Sequence, residues 1–328
     1  MGANQSSKDF EAPSEKYTAT LYYFNGRGLA DQIRWMLAAT NTDFCQKVVS
    51  GREKFLEMAA CQLPFGQLPL LQIDGMEIVQ SQAAVRYLAR RAHIQGNSAQ
   101  DALKCDMIAE AVRDVLSLLL AAPFRKYSGN KNKESASSSS GTATTGILNT
   151  AEWSAHLAII KEKWNFTGRR FEAIIRNNLP SNHPSIAKAS SKGAPPSATT
   201  TTAEDAEVHI VGSSLTYADV LVAHLVTWLV EECGREVVAD MPLLVQLQNQ
   251  TIQLPSIRRF IRSANYFPIG DSAYVQQVSF LSYLQLARSV YAYYFITSVF
   301  LAAPFLGECD IGPHCLVPAT VMYCTVGS

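Results

Sequence analysis

The sequence has no excess of charge of either sign: Lys plus Arg and Asp plus Glu number 28 each in 328 residues. Without a basic surplus there is no global attraction for a polyanion, which excludes nucleic acid as a general partner. Seven cysteines are present, yet none forms a CxxC pair and none has metal-ligand spacing. No metal site is expected, and scattered unpaired cysteines suit a reducing cytosolic compartment. An apolar run is missing from the first fifteen residues, so the expectation is no secretory signal and a cytoplasmic protein. Charge is scarce at the end of the sequence: Ser279 to Ser328 carries Arg288, Glu308 and Asp310 and no other charged side chain.

What is present is a chain that is 48% apolar and 17% charged, which can bury a sizeable core and cannot be wholly disordered. Its length suits two domains of ordinary size. Two stretches rich in Ser, Thr, Gly and Ala, near 129–150 and 181–206, cannot bury apolar surface and are expected as solvated inserts. The expected organisation is a flexible arm over 1–16, a mixed α/β domain over 17–95, a helical domain over 96–278 holding both inserts, and an apolar tail over 279–328.

Thr18 to Phe24 is rich in strand formers, and Gly26 and Gly28 then bracket a turn before DQIRWMLAAT, whose Ile33, Met36, Leu37 and Thr40 recur at helical spacing. A second short strand begins at Phe44. LPLLQI and MEIV flank Asp74-Gly75, a strong hairpin signal. Ser81 occupies the place of an N-cap before QAAVRYLARR. The order is strand, helix, strand, then hairpin and helix. Beyond it, helical periodicity runs over about Ala99–Phe124, Ala151–Leu179, Thr216–Cys233 and Leu243–Tyr266. Thr216-Tyr217-Ala218-Asp219 opens the third as a capping box, which satisfies the N–H groups of a buried helix start. A small α/β domain followed by an all-helical domain is the predicted architecture.

Three runs, LYYFNGRGLADQIRWMLAAT, LPFGQLPLLQIDGMEIVQSQAAVRYLARR and HIVGSSLTYADVLVAHLV, occur in this order. Together they resemble a cytosolic glutathione transferase of the tyrosine type (alpha, mu, pi and sigma) from about Tyr17 to Ile269. The resemblance implies a thioredoxin-like N-terminal domain, an all-helical C-terminal domain, glutathione as co-substrate, a hydrophobic electrophile as the other substrate, and a homodimer. A free thiol has a pKa near 8.5, so the reaction needs a donor that stabilises the thiolate. The resemblance puts that donor at Tyr23; Tyr22 points to the other strand face and is assigned to packing.

The same resemblance makes Pro69 a cis-proline that frees the Leu68 backbone for the cysteinyl part of glutathione, beside Gln67. Gln80 and Ser81 match the pair at a helix start that suits the γ-glutamyl carboxylate. Arg27 matches an arginine that either contacts the ligand or supports the loop. Asp114 aligns with an acid that reaches the partner subunit's glutathione; a plain solvated charge is the alternative, and Glu110 is its nearest competitor. The electrophile site implied by the family would draw on Asn25, Leu29, Leu118, Leu119, Phe124 and Tyr127. Two departures stand out. No basic residue lies between Lys54 and Pro64 to hold the glycyl carboxylate, leaving Lys47, Arg52 or Lys54 as substitutes. Leu29 follows the mu-type RGLA pattern where the alpha type has arginine. A second function stays open: a non-catalytic, ligand-holding or crystallin-like protein on the same fold, with glutathione-dependent isomerase or peroxidase action as variants of the first.

Both ends carry something more. Met-Gly-Ala-Asn-Gln-Ser satisfies M-G-x-x-x-[ST], which makes Gly2 a lipidation candidate. One myristoyl chain binds a membrane only marginally, so a second signal is needed. The uncharged stretch 289–306 has three readings: packed over the electrophile site, associated with or inserted in a membrane, or foreign to the fold.

Overall fold

A computed structural model describes residues 18–127, 150–180, 183 and 207–278, all within the first of the chain's two units, Met1–Ser282. The arm with Gly2, most of both inserts and the 279–328 tail lie outside the described residues.

Strand β1 (Ala19–Tyr23) leads into α1 (Ala30–Ala39), then β2 (Phe44–Val48), α2 (Arg52–Cys61), β3 (Leu70–Ile73), β4 (Met76–Val79) and α3 (Ser81–Arg91). The sheet order is β2-β1-β3-β4, with β1 parallel to β2 and antiparallel to β3. This is the thioredoxin-like arrangement expected. The β3–β4 hairpin closes at Asp74 and Gly75, both at positive φ (51° and 73°), as a tight hairpin turn requires. Helix α2 is absent from the expected order: only Phe55 and Met58 of its ten residues are buried, so its hydrophobic pattern is too sparse to announce it. Ser81 is the first residue of α3 rather than its cap; Gln80 holds the N-cap position at φ 70°.

The helical domain comprises α4 (Ala99–Lys126), α5 (Thr150–Asn178), α6 (Tyr217–Cys233), a 3₁₀ turn (Arg235–Val238), α7 (Pro242–Gln253) and α8 (Pro255–Ile261), with further helical residues at 272–278. The single helix expected from Leu243 to Tyr266 is two. Pro255 donates no backbone hydrogen bond and forces Leu254 into an extended conformation (ψ 128°), so the helix stops and restarts there.

Helix α6 runs through the middle, with thirteen buried residues. Its N-terminal donors are met by Asp219, which is fully buried and accepts hydrogen bonds from Thr216 N (2.7 Å), Thr216 Oγ1 (2.8 Å) and Ile210 N (2.8 Å). One carboxylate thus fixes both the helix start and the loop before it. Helix α1 is buried along nine of its ten residues and packs against α3, α6 and α8. Asp31, Gln32 and Arg34 are interred with it, and buried charges need partners.

Candidate active site

The strand registers bring three expected site residues to one end of the sheet. Tyr22 pairs with Leu70 and Leu70 with Val79, so one step further along Tyr23, Pro69 and Gln80 stand side by side on adjacent strands. The Leu68–Pro69 bond is cis, and Leu68 N–H and C=O have no partner among the described residues. Gln67 is half-buried beside them. The Ser81 and Gln82 N–H groups at the start of α3 are likewise unpaired among the described residues, and Ser81 is buried there. Free extended backbone and a helix start converge on the strand end that carries a tyrosine hydroxyl. This set suits a peptide-like anionic ligand.

Tyr23 is buried, and its hydroxyl accepts a hydrogen bond from Leu29 N at 3.0 Å. Gly28 makes this approach feasible: at φ 46° a Cβ there would come within 2.1 Å of the Tyr23 oxygen. The Tyr23 O–H proton has no acceptor among the described residues, so the group is a donor awaiting one. Accepting the amide bond polarises it further. Burial pushes the Tyr23 pKa above the ordinary value, against the Leu29 N–H and the Arg34 charge, which pull it down. The hydroxyl therefore stays protonated across neutral pH. Leu29 supplies a backbone N–H here; the nearby cation is Arg34, 5.9 Å from the Tyr23 ring centre.

Arg34 is the strut of the loop. Its guanidinium donates to Gly26 O (3.0 Å), Arg27 O (3.1 Å), Asp31 Oδ1 (3.2 Å) and Gln46 Oε1 (3.0 Å). Asp31 also faces His224 Nε2 of α6 at 3.1 Å. Arg27 is buried, donates to Phe267 O (2.7 Å), pairs with Glu231 (2.5 Å) and lies over Trp228 and Tyr266. These partners favour the supporting role for Arg27 over ligand contact.

Of the electrophile-site candidates, Asn25 and Leu29 are exposed beside the Tyr23 loop, and Phe124 is partly buried with its ring 6.2 Å from Tyr274. Leu119 is 0% exposed and belongs to the core, because it lies on the inward face of α4. Leu118 is partly buried, with its carbonyl 2.9 Å from His156 Nε2, and Tyr127 lies near Lys126. Tyr274 escaped the sequence reading. Its ring occupies the space that side chains at Gly26 and Gly270 would take, above the loop that carries Tyr23. The pattern surrounding it is too polar and too close to the uncharged tail to mark it. Asp31, Arg34 and His224 also escaped the sequence reading, because they have partners far away in sequence. Asp114 is 63% exposed on α4, 3.2 Å from Lys163 Nζ. Lys54, one substitute for the glycyl-carboxylate partner, is 3.6 Å from Glu57. Among the described residues no group of three metal-ligating side chains occurs.

Residues 19–90 match the family model described as glutathione S-transferase, N-terminal domain, and 197–264 match glutathione S-transferase, C-terminal domain. The mouse protein glutathione S-transferase A4 is 28% identical over 260 residues, covering 79% of this chain and 95% of that protein. Human glutathione S-transferase A3 is 26% identical, covering 74% and 87%. Prostaglandin synthase D of Nilaparvata lugens shares the fold, with a TM-score of 0.51 and 20% identity over 75% of this chain and 98% of that one. Two domains of this kind, joined in this order around a tyrosine at a strand end, define a glutathione-dependent transferase scaffold. Both domains are thus similar to those of glutathione S-transferases, and among the similar proteins is the rat glutathione S-transferase alpha-4, 28% identical over 261 residues.

Asp31 is the titratable keystone of the loop. Burial would raise its pKa, but the His224 hydrogen bond and the charges of His224, Arg34 and Arg27 hold it below 3.8. A depressed carboxylate stabilises the fold fully above its unfolded value and loses that contribution as pH falls through the folded one. Asp31→Asn is therefore expected to cost about 3–5 kcal/mol at pH 7. In denaturant titrations the wild-type advantage should shrink once the pH drops below 3.8.

Proposed function

We infer that this protein joins the glutathione thiolate to hydrophobic electrophiles, with the Tyr23 hydroxyl as the stabilising donor. The observation that carries this reading is an O–H that is protonated, polarised by Leu29 N–H and free to donate, at the strand end where Leu68 and the first turn of α3 leave backbone groups unpaired. Glutathione would lie with its cysteinyl backbone along Leu68, its γ-glutamyl carboxylate at Gln80 and Ser81, and its sulfur at Tyr23. The developing negative charge on sulfur then rests on a donor that does not reorganise, which is why the thiol ionises near neutral pH. The electrophile enters between Asn25, Leu29, Phe124 and Tyr274. A hydrogen bond to a charged acceptor contributes about 1.5–3 kcal/mol. Tyr23→Phe should accordingly raise the pKa of the bound thiol by about one to two units and lower kcat/KM at pH 7 by about 10- to 100-fold. Thiolate absorbance and an aryl-halide conjugation assay read these out. Unchanged activity would remove Tyr23 from this role, and failure of the wild-type protein to bind immobilised glutathione would turn the reading to the non-catalytic alternative.

We propose further that two copies associate through α4 and the loop before β3. Leu103 and Met107 are 61% and 64% exposed on one stripe of α4, Asp114 continues that stripe, and Phe65 is 65% exposed. Exposed apolar side chains of this size mark an interface. Asp114 would then face the partner subunit's glutathione amine. Light scattering should give twice the chain mass for wild type and a shift toward monomer for Phe65→Ser; a fully active wild-type monomer would refute the assembly.

Lipidation of Gly2, with membrane contact through it or through 289–306, is the last proposal. No helix among the described residues is long and apolar enough to cross a membrane. Labelled myristate should enter the wild-type chain and not Gly2→Ala; an unlabelled wild-type chain sinks it.

A further inference from the structure

Between Met241 and Gly270 the charged residues are three arginines, Arg258, Arg259 and Arg262, with no acid among them. All three are exposed on and just after α8, and none has a carboxylate partner among the described residues. They line a groove with Gln253, Pro255 and Ser263. Arg259 and Ser263 also border a second hollow, shared with Asn41, Thr42 and Asp43 of the N-terminal domain. There Arg259 donates to the Asn41 side-chain oxygen at 2.9 Å. Asp43 is the one carboxylate lining either hollow, and its backbone oxygen accepts hydrogen bonds from Thr18 N (3.1 Å) and Thr18 Oγ1 (2.9 Å). Thr18, the first of the described residues, is therefore held beside the hollow that Arg259 also borders.

We propose that this face docks onto the phosphates of an anionic bilayer. Guanidinium forks match phosphate oxygens in geometry and charge; Arg258 and Arg262 keep that capacity whole, and Arg259, bonded to Asn41 by one nitrogen, keeps part of it. In a chain of zero net charge the attraction comes from the patch alone. Each basic residue near an anionic leaflet strengthens binding about fivefold, so three arginines give a preference of about a hundredfold over a neutral surface. The first seventeen residues cannot supply this signal, since Lys8 and Lys16 are outnumbered by Asp9, Glu11 and Glu15. A myristoyl chain at Gly2 and the arginine face would together make the two-part anchor that neither makes alone. That combination rests on the lipidation reading; the lipid preference of the arginines does not.

The test is co-sedimentation of the unacylated full chain with vesicles of phosphatidylcholine, with and without about one-third phosphatidylserine. Binding should favour the anionic vesicles, weaken as salt rises, and fall about 25-fold in Arg258→Gln/Arg262→Gln while glutathione conjugation is unchanged. Equal partition into both vesicle types, or full binding by the double variant, overturns the proposal. Complete displacement by millimolar glycerol phosphate also overturns it, making the groove a small-phosphate site. Gly2→Ala should weaken binding of the acylated chain only, so failure of lipidation and failure of the arginine face read out separately.

Discussion

The arrangement around Tyr23 depends on one buried electrostatic constraint: two ionised side chains of one helix, both shielded from bulk water. Asp31 and Arg34 lie one turn apart on α1, which packs against α3, α6 and α8. Uncompensated, each would cost several kcal/mol to desolvate. Each is compensated by reaching out of the helix. Asp31 turns to His224 on α6, and Arg34 turns to the carbonyls of Gly26 and Arg27 in the loop. The charges thus specify how the two domains meet and where the loop sits, which apolar packing alone would leave less defined.

From that constraint the chemistry follows in short steps. The loop held by Arg34 passes Gly28 against the Tyr23 oxygen and brings Leu29 N–H within hydrogen-bond range. Arg27, next in the loop, is pinned by Glu231 and the Phe267 carbonyl, so the segment that follows α8 is tied to the same turn. Tyr274, seven residues further on, then rests above Gly26. Tyr23 and Tyr274 thus stand at two ends of one connected set of hydrogen bonds and packing contacts. A change in any buried member of that chain would act at Tyr23 without touching substrate, as a positioning effect.

Much of this was legible in the residues. Asp74-Gly75 marked the hairpin because both positions need positive φ, and Thr216 to Asp219 marked the start of α6 because buried N–H groups need an acceptor within three residues. Tyr23, Pro69 and Gln80 were found because each belongs to a local run whose order is preserved. Local rules failed where the determining contact was distant or the pattern sparse. Helix α2 shows only two buried side chains, Leu119 was named for the pocket on a stripe that reads more often as core, and Ser81 reads as a cap although Gln80 takes the strained cap position.

By itself, the sequence indicated most of the order of elements, through apolar spacing and the conformational demands of single residues, and its three runs carried the family resemblance that pointed to the residues converging on the strand end. Only the tertiary structure decided which charges are spent and which are free. Arg27 and Arg34 are committed to the loop, whereas Arg258, Arg259 and Arg262 face outward without acidic partners. Nothing in a run of arginines distinguishes the two cases, because desolvation and pairing belong to the folded surroundings of a side chain and not to its neighbours in sequence.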